Sequence, residues 1–117
     1  MSDQVERVDL LVFEIGPLRY AADAAQVLRV DTRAQDAVTL EALGPLKRTH
    51  RALVVGVDGV ERQLAVDAVL GIQPVAVERL RRFPRMARAG QETLGVWLDG
   101  DAPVVLIDLE KAVRPFV

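Results

Sequence analysis

Turn pairs divide this chain into apolar runs of strand length. Gly16-Pro17, Asp58-Gly59 and Asp99-Gly100 each lie between two such runs, and Asp-Gly is the dipeptide best suited to the left-handed backbone of a two-residue hairpin. Val8–Ile15 places Val8, Leu10 and Val12 on one side and Leu11, Phe13 and Ile15 on the other, as in a strand covered on both faces. Leu18–Ala22 returns beside it, with Tyr20 as its aromatic residue. Leu53–Val57 and Val60–Val66 form the clearest hairpin, and Leu94–Leu98 with Pro103–Ile107 repeats the arrangement. Short strands at this spacing predict a small, mostly antiparallel barrel rather than a helical bundle or a parallel sheet.

Helices are expected to be minor. Asp23 can cap a short helix over Ala24–Val30, about two turns long and stable only when packed. Asp108 caps a closing turn or two over Asp108–Val113, with Leu109 and Val113 facing inward at i, i+4. Asp67–Leu70 reads as a turn or short helix ending at Gly71, and Ile72–Val77 as a strand that Pro74 confines to a sheet edge. Asp31–Arg51, anchored only by Val38, Leu40, Leu43 and Leu46, reads as a loop with one helical turn or one weak strand. At 117 residues the chain has room for one domain, 1–117, with residues 1–7 expected to be a flexible N-terminus. Half of the residues are hydrophobic and 27% are charged, which supplies a core and excludes the composition of a disordered chain.

The same composition excludes most chemistry. There is no cysteine and one histidine, His50, so disulfides, cysteine nucleophiles and the usual zinc sites are ruled out. Ser2 is the only serine, and it stands at a terminus expected to fray, so no Ser/His/Asp triad can be assembled. Asp99 with Asp101 and Asp108 with Glu110 sit where turn formation and capping explain them, and the glycines make no phosphate-cradling loop. No catalytic residue, cofactor or metal site is read. The first nine residues lack the apolar core of a signal peptide, and no apolar run approaches the roughly 20 residues of a membrane span, so a soluble cytoplasmic protein without membrane insertion is expected.

One charge feature stands out. Arg79, Arg81, Arg82, Arg85 and Arg88 surround Phe83-Pro84, making either a solvated loop or a partner-contact surface for RNA, DNA or an acidic helix. The net charge of −2 gives no general field toward nucleic acid, and aromatics at 4% are thin for base stacking, so a protein partner is the better fit.

Four segments, in order, resemble the CheW-like domain of bacterial chemotaxis coupling proteins. LLVFEIGPLRYAADAAQVLRV is similar to that family's first hairpin and helix, LAVDAVLGI to its "VD.V.gV" segment, AVERLRRFP to the loop that follows, and LGVWLDGDAPVVLIDLEKAV to the closing strand and helix. The resemblance implies a mainly β fold of two small barrel-like subdomains with short helices, and a non-catalytic adaptor. It also implies an apolar groove between subdomains for the cytoplasmic tip of a methyl-accepting chemoreceptor, and contact with a histidine kinase regulatory domain. Val27 and Ile72 match groove positions and Leu28 lies beside them; ordinary core packing is the alternative for these residues. The family's Arg-Gly pair and Pro-containing apolar strand ("RG...PviDL") have no counterpart in Asp31–Ala52. A gap of about 25 residues is worth roughly two strands with their turns, which predicts one truncated or incomplete subdomain, reduced kinase coupling, and strand edges open to homo-oligomer formation.

Overall fold

The computed structural model describes residues 6–33, 35, 37–40, 51–84 and 92–117. Nine strands form two sheets: β1 (Arg7–Ile15), β2 (Leu18–Asp23), β3 (Val27–Asp31), β4 (Arg51–Val57), β5 (Val60–Val66), β6 (Ala68–Ala76), β7 (Leu80–Arg82), β8 (Thr93–Asp99) and β9 (Ala102–Ile107). A short helix α1 (Leu109–Val113) follows. One sheet has the order β6-β1-β2-β9-β8-β7 and the other β3-β4-β5. All pairings between strands are antiparallel except β2 with β9.

β6 and β7 follow one another in the chain with only Val77–Arg79 between them, yet they are the two outer strands of the larger sheet. So short a connection requires the sheet to curl until its edges approach, which makes it a barrel with a seam between β6 and β7. The Val77 N–H donates to the Glu6 carbonyl at 2.9 Å, tying that connection to the start of β1. Leu10, Val12, Ala21, Val75, Trp97, Val104 and Leu106 pack as one core cluster inside this barrel.

The second cluster joins the subdomains. Leu11, Phe13 and Ile15 of β1 and Tyr20 of β2 meet Leu53, Val55, Val57, Leu64 and Val66 of the three-stranded sheet, with Leu109 and Val113 of α1. The alternation along β1 therefore feeds both cores, as its two apolar faces imply. At roughly 25 cal/mol per Å² of buried apolar surface, these clusters supply the main favourable contribution to folding. Among the described residues, the β5 edge of the three-stranded sheet is extended by Val38, whose N–H donates to the Gln63 carbonyl at 2.7 Å and whose carbonyl accepts from Ala65 at 2.9 Å.

Several local expectations hold. Asp58 and Gly59 have φ of 52° and 79°, the left-handed pair a two-residue hairpin needs. Pro74 lies on an edge strand, and the Asp108 carboxylate caps α1 by accepting from the Lys111 N–H at 3.2 Å.

Others are corrected. The helix over Ala24–Val30 is one 3₁₀ turn, Ala24–Gln26, capped by Asp23 as expected, while Val27–Asp31 is β3. Seven residues cannot sustain an isolated helix, and pairing with β4 satisfies the backbone of Val27, Arg29 and Val30 better. Asp67–Leu70 is not helical either. β6 runs unbroken from Ala68, absorbing a bulge opposite Val12 and Phe13 where Gly71 takes φ 130°. Arg81 and Arg82 are in strand β7 rather than a loop, because Leu80 pairs with Trp97 and packs against the barrel core. Arg7, assigned on sequence to the flexible N-terminus, pairs with Ala76 as the first residue of β1. His50, Leu43, Leu46, Arg85 and Arg88 lie outside the described residues.

Candidate functional site

The three apolar groove candidates fall on both sheets. Ile72 is in β6 opposite Leu11 of β1, and is 62% exposed. Opposed residues in an antiparallel pair share a face, so Ile72 lies on the side of β1 that carries Leu11, Phe13 and the inter-subdomain core. Val27 opens β3 opposite Val55 and packs, half-buried, against that same core. Leu28 is the extra residue of a bulge in β3. It is 56% exposed and its side chain rests over Gly56, where an added Cβ would stand 3.2 Å from Leu28 Cδ1. Val27 and Ile72 thus border one packed core from two sheets. Val27 packs against that core, while Leu28 and Ile72 keep more than half of their surface exposed.

What holds the two borders in place is polar. Gln26, just before β3, accepts from the Leu109 N–H through Oε1 at 2.8 Å and donates through Nε2 to Asp108 Oδ1 at 3.0 Å. Asp67, between β5 and β6, accepts from the Gly16 N–H through Oδ2 at 2.5 Å, and its own N–H donates to the Glu14 carbonyl at 2.9 Å. Neither residue was singled out from the sequence. Asp67 had a signal, since it is the aspartate of the "VD.V.gV" segment; Gln26 had none. On the outer face of the small sheet, Arg29 meets Glu61 at 3.2 Å and Asp31 at 3.1 Å, and these carboxylates, Glu61 foremost, raise its pKa further above the ordinary arginine value.

The basic stretch is split by the fold. Arg79, Arg81 and Arg82 are exposed along the connection from β6 into β7, and Arg81 donates to the Glu78 and Leu80 carbonyls. Arg79 and Arg81 line a cleft of about 770 Å³ with Val96 and Leu98. Phe83 beside them is half-buried, and Phe13, Tyr20 and Trp97 are buried. The exposed aromatic is Phe116, whose carbonyl accepts from Arg62 on the β4-β5 hairpin side. The basic stretch therefore has no stacking platform among the described residues. No group of three or more His, Asp or Glu among the described residues is placed to hold a metal ion, and none of their helices is long and apolar enough to cross a membrane.

Comparison with known proteins agrees with this geometry. The fold matches that of the scaffolding protein TtCheW from Thermoanaerobacter tengcongensis with a TM-score of 0.69, at 18% identity, over 88% of this chain and 90% of that one. The chain is also 42% identical over 107 residues to the Frizzy aggregation protein FrzB of Myxococcus xanthus, covering 92% of this chain and 96% of FrzB. The chain belongs to the CheW-like family. No family model matches it.

CheW-like proteins are non-catalytic adaptors, and this one is a coupling or scaffold protein of a chemosensory system. The match covers nearly all of both this chain and FrzB. Among the described residues, the two subdomains of this CheW-like chain are the larger, curled sheet and the three-stranded sheet.

Proposed function

We propose that this protein is a cytoplasmic, single-domain adaptor, working at receptor clusters, that binds the helical signalling tip of a methyl-accepting-type chemoreceptor and has little or no coupling to a histidine kinase. The observation that carries this reading is the pair of exposed apolar side chains, Leu28 and Ile72, on two sheets that share one core with Val27. An apolar border of this kind suits the face of an amphipathic helix, with a few side chains supplying most of the energy. Reduced kinase coupling is supported by the lack, in Asp31–Ala52, of any counterpart to the family's "RG...PviDL" segment.

Parallel titrations of the full chain with a receptor signalling-tip fragment and with a kinase regulatory domain test both parts. Saturable binding to the first and none to the second is the expected outcome. Absence of receptor binding rejects the adaptor reading. Tight kinase binding rejects its second half in favour of an ordinary bridging scaffold. The free outer edge of β3 in the described sheet order further supports self-association by edge pairing, and light scattering over a concentration series tests it, with only monomer as the negative result.

A further inference from the structure

The seam of the barrel carries a second, separate feature. Between β6 and the β7 connection lies a small cleft of about 180 Å³ whose lining includes Arg7, Gln73, Pro74, Arg79 and Trp97. Trp97 is 3% exposed, and its indole N–H is buried without a hydrogen-bond acceptor among the described residues. A buried donor without a partner is costly, and native proteins rarely leave one unless something else binds there. Neither Arg7 nor Arg79 has an ion pair or hydrogen bond through its side chain among the described residues. Among the described residues the cleft thus gathers two guanidinium groups without a side-chain partner, the Gln73 side chain, and Trp97, whose buried indole donor is unsatisfied. An anionic acceptor is the complement, and the volume admits one carboxylate-sized group.

Arg79 also lines the neighbouring 770 Å³ cleft, where Arg81 stands with Val96 and with Leu98, itself 59% exposed. An extended segment leaving the small cleft would pass from cations onto exposed apolar surface. Nucleic acid fits this poorly, because Phe83 is half-buried and Trp97 buried, leaving no base-stacking face. Glu78 lines the larger cleft and Glu6 precedes Arg7; neither carboxylate has a partner among the described residues, and their charge disfavours acidic groups of a ligand away from the two arginine positions. We propose that the β6-β7 seam docks an acidic, apolar-containing segment of a protein partner, one carboxylate sitting between Arg7 and Arg79 and accepting the Trp97 indole N–H.

Because Trp97 is the only tryptophan, the ¹⁵N-labelled protein gives one indole cross-peak, which serves as the reporter. The probe is a blocked octapeptide alternating glutamate and leucine, titrated at low salt. The expected result is a saturable shift of the indole peak, weakened about tenfold by Arg7→Gln with Arg79→Gln, as for loss of charge-assisted hydrogen bonds, and unchanged by Ile72→Ser. Any of these results overturns the proposal: an unmoved peak, an equal shift with lysine replacing glutamate, an unchanged affinity in the double variant, or the same shift with sodium phosphate at equal charge, which marks an adventitious ion only. Loss of peptide binding in Ile72→Ser moves the peptide to the apolar groove and also rejects it. The proposal does not depend on receptor binding, which the separate receptor titration addresses.

Discussion

Gln26 and Asp108 stand 82 positions apart in the chain and are joined by a 3.0 Å hydrogen bond from the Gln26 amide to the Asp108 carboxylate. The same Gln26 side chain accepts from the Leu109 N–H at 2.8 Å. One glutamine therefore satisfies an otherwise orphaned donor in the first turn of α1 and orients the aspartate that caps it. It also fixes the entry to β3, and with it Val27, against the end of β9. Gln26→Ala is expected to cost about 1–2 kcal/mol, the range for a lost cap and its bonds. Urea unfolding measures it, and a change within a few tenths would show that the bridge is dispensable.

Asp67 does the corresponding work on the other border. Its carboxylate holds the Gly16 N–H, in the turn between β1 and β2, against the start of β6. Asp67→Ala leaves that N–H without its charged acceptor, for an expected loss of about 1–3 kcal/mol. Urea unfolding measures it, and a difference within a few tenths of a kcal/mol would show that the bond is dispensable.

Much of the fold was legible because its signals are local. Asp58-Gly59 specifies its own turn, and Asp108 its own helix start. Ala24–Val30 was not, because Val27 and Val30 suit a helical face or a strand, and only β4, more than twenty residues further on, decides. β7 was hidden among arginines, where Leu80 is the single inward residue and Trp97 its reason to be there. Val27, Leu28 and Ile72 were candidates through a family resemblance, while the placing of Val27 and Ile72 on the side of one core follows from sheet register. The meeting of Arg7, Arg79 and Trp97 follows from β6 and β7 being opposite edges of one curled sheet, which no local spacing encodes.

Gly95 makes the edge strand possible. A Cβ there would stand 2.0 Å from the Arg81 carbonyl oxygen and 2.8 Å from its carbon, well inside any tolerable contact. Because the obstacle is backbone, β7 must move. Gly95→Ala is expected to cost about 1–3 kcal/mol, as for overpacking, and to remove hydrogen-exchange protection from Leu80–Arg82 before the rest of the sheet. Retained protection would mean that the bulge between Thr93 and Gly95 absorbs the methyl group.

Val27 and Ile72 should separate stability from recognition. Val27→Ala removes half-buried core contacts and is expected to cost about 1 kcal/mol in unfolding as well as weakening receptor-tip binding. Ile72→Ser acts on a side chain that is 62% exposed, so stability should stay within about 0.5 kcal/mol while binding falls about tenfold or more. Thermal unfolding beside a binding titration reads both. Equal loss of stability in the two variants would return Ile72 to a packing role.

Tyr20 gives the alkaline limit of the fold. It is 3% exposed and stacks on Phe13 with ring centroids 5.9 Å apart, and this burial raises its phenol above the ordinary value of 10.0 by disfavouring the charged form. The unfolded chain then releases the proton first, so it binds fewer protons than the native state and stability falls as pH rises. The contribution is intact below about pH 10 and is lost between that value and the higher native one. Tyr20 is the only tyrosine, so tyrosinate absorbance follows a single group. Its midpoint in the folded protein is expected above that of the urea-unfolded chain. Tyr20→Phe should flatten the alkaline limb of the stability curve; an unchanged limb would place the alkaline loss elsewhere.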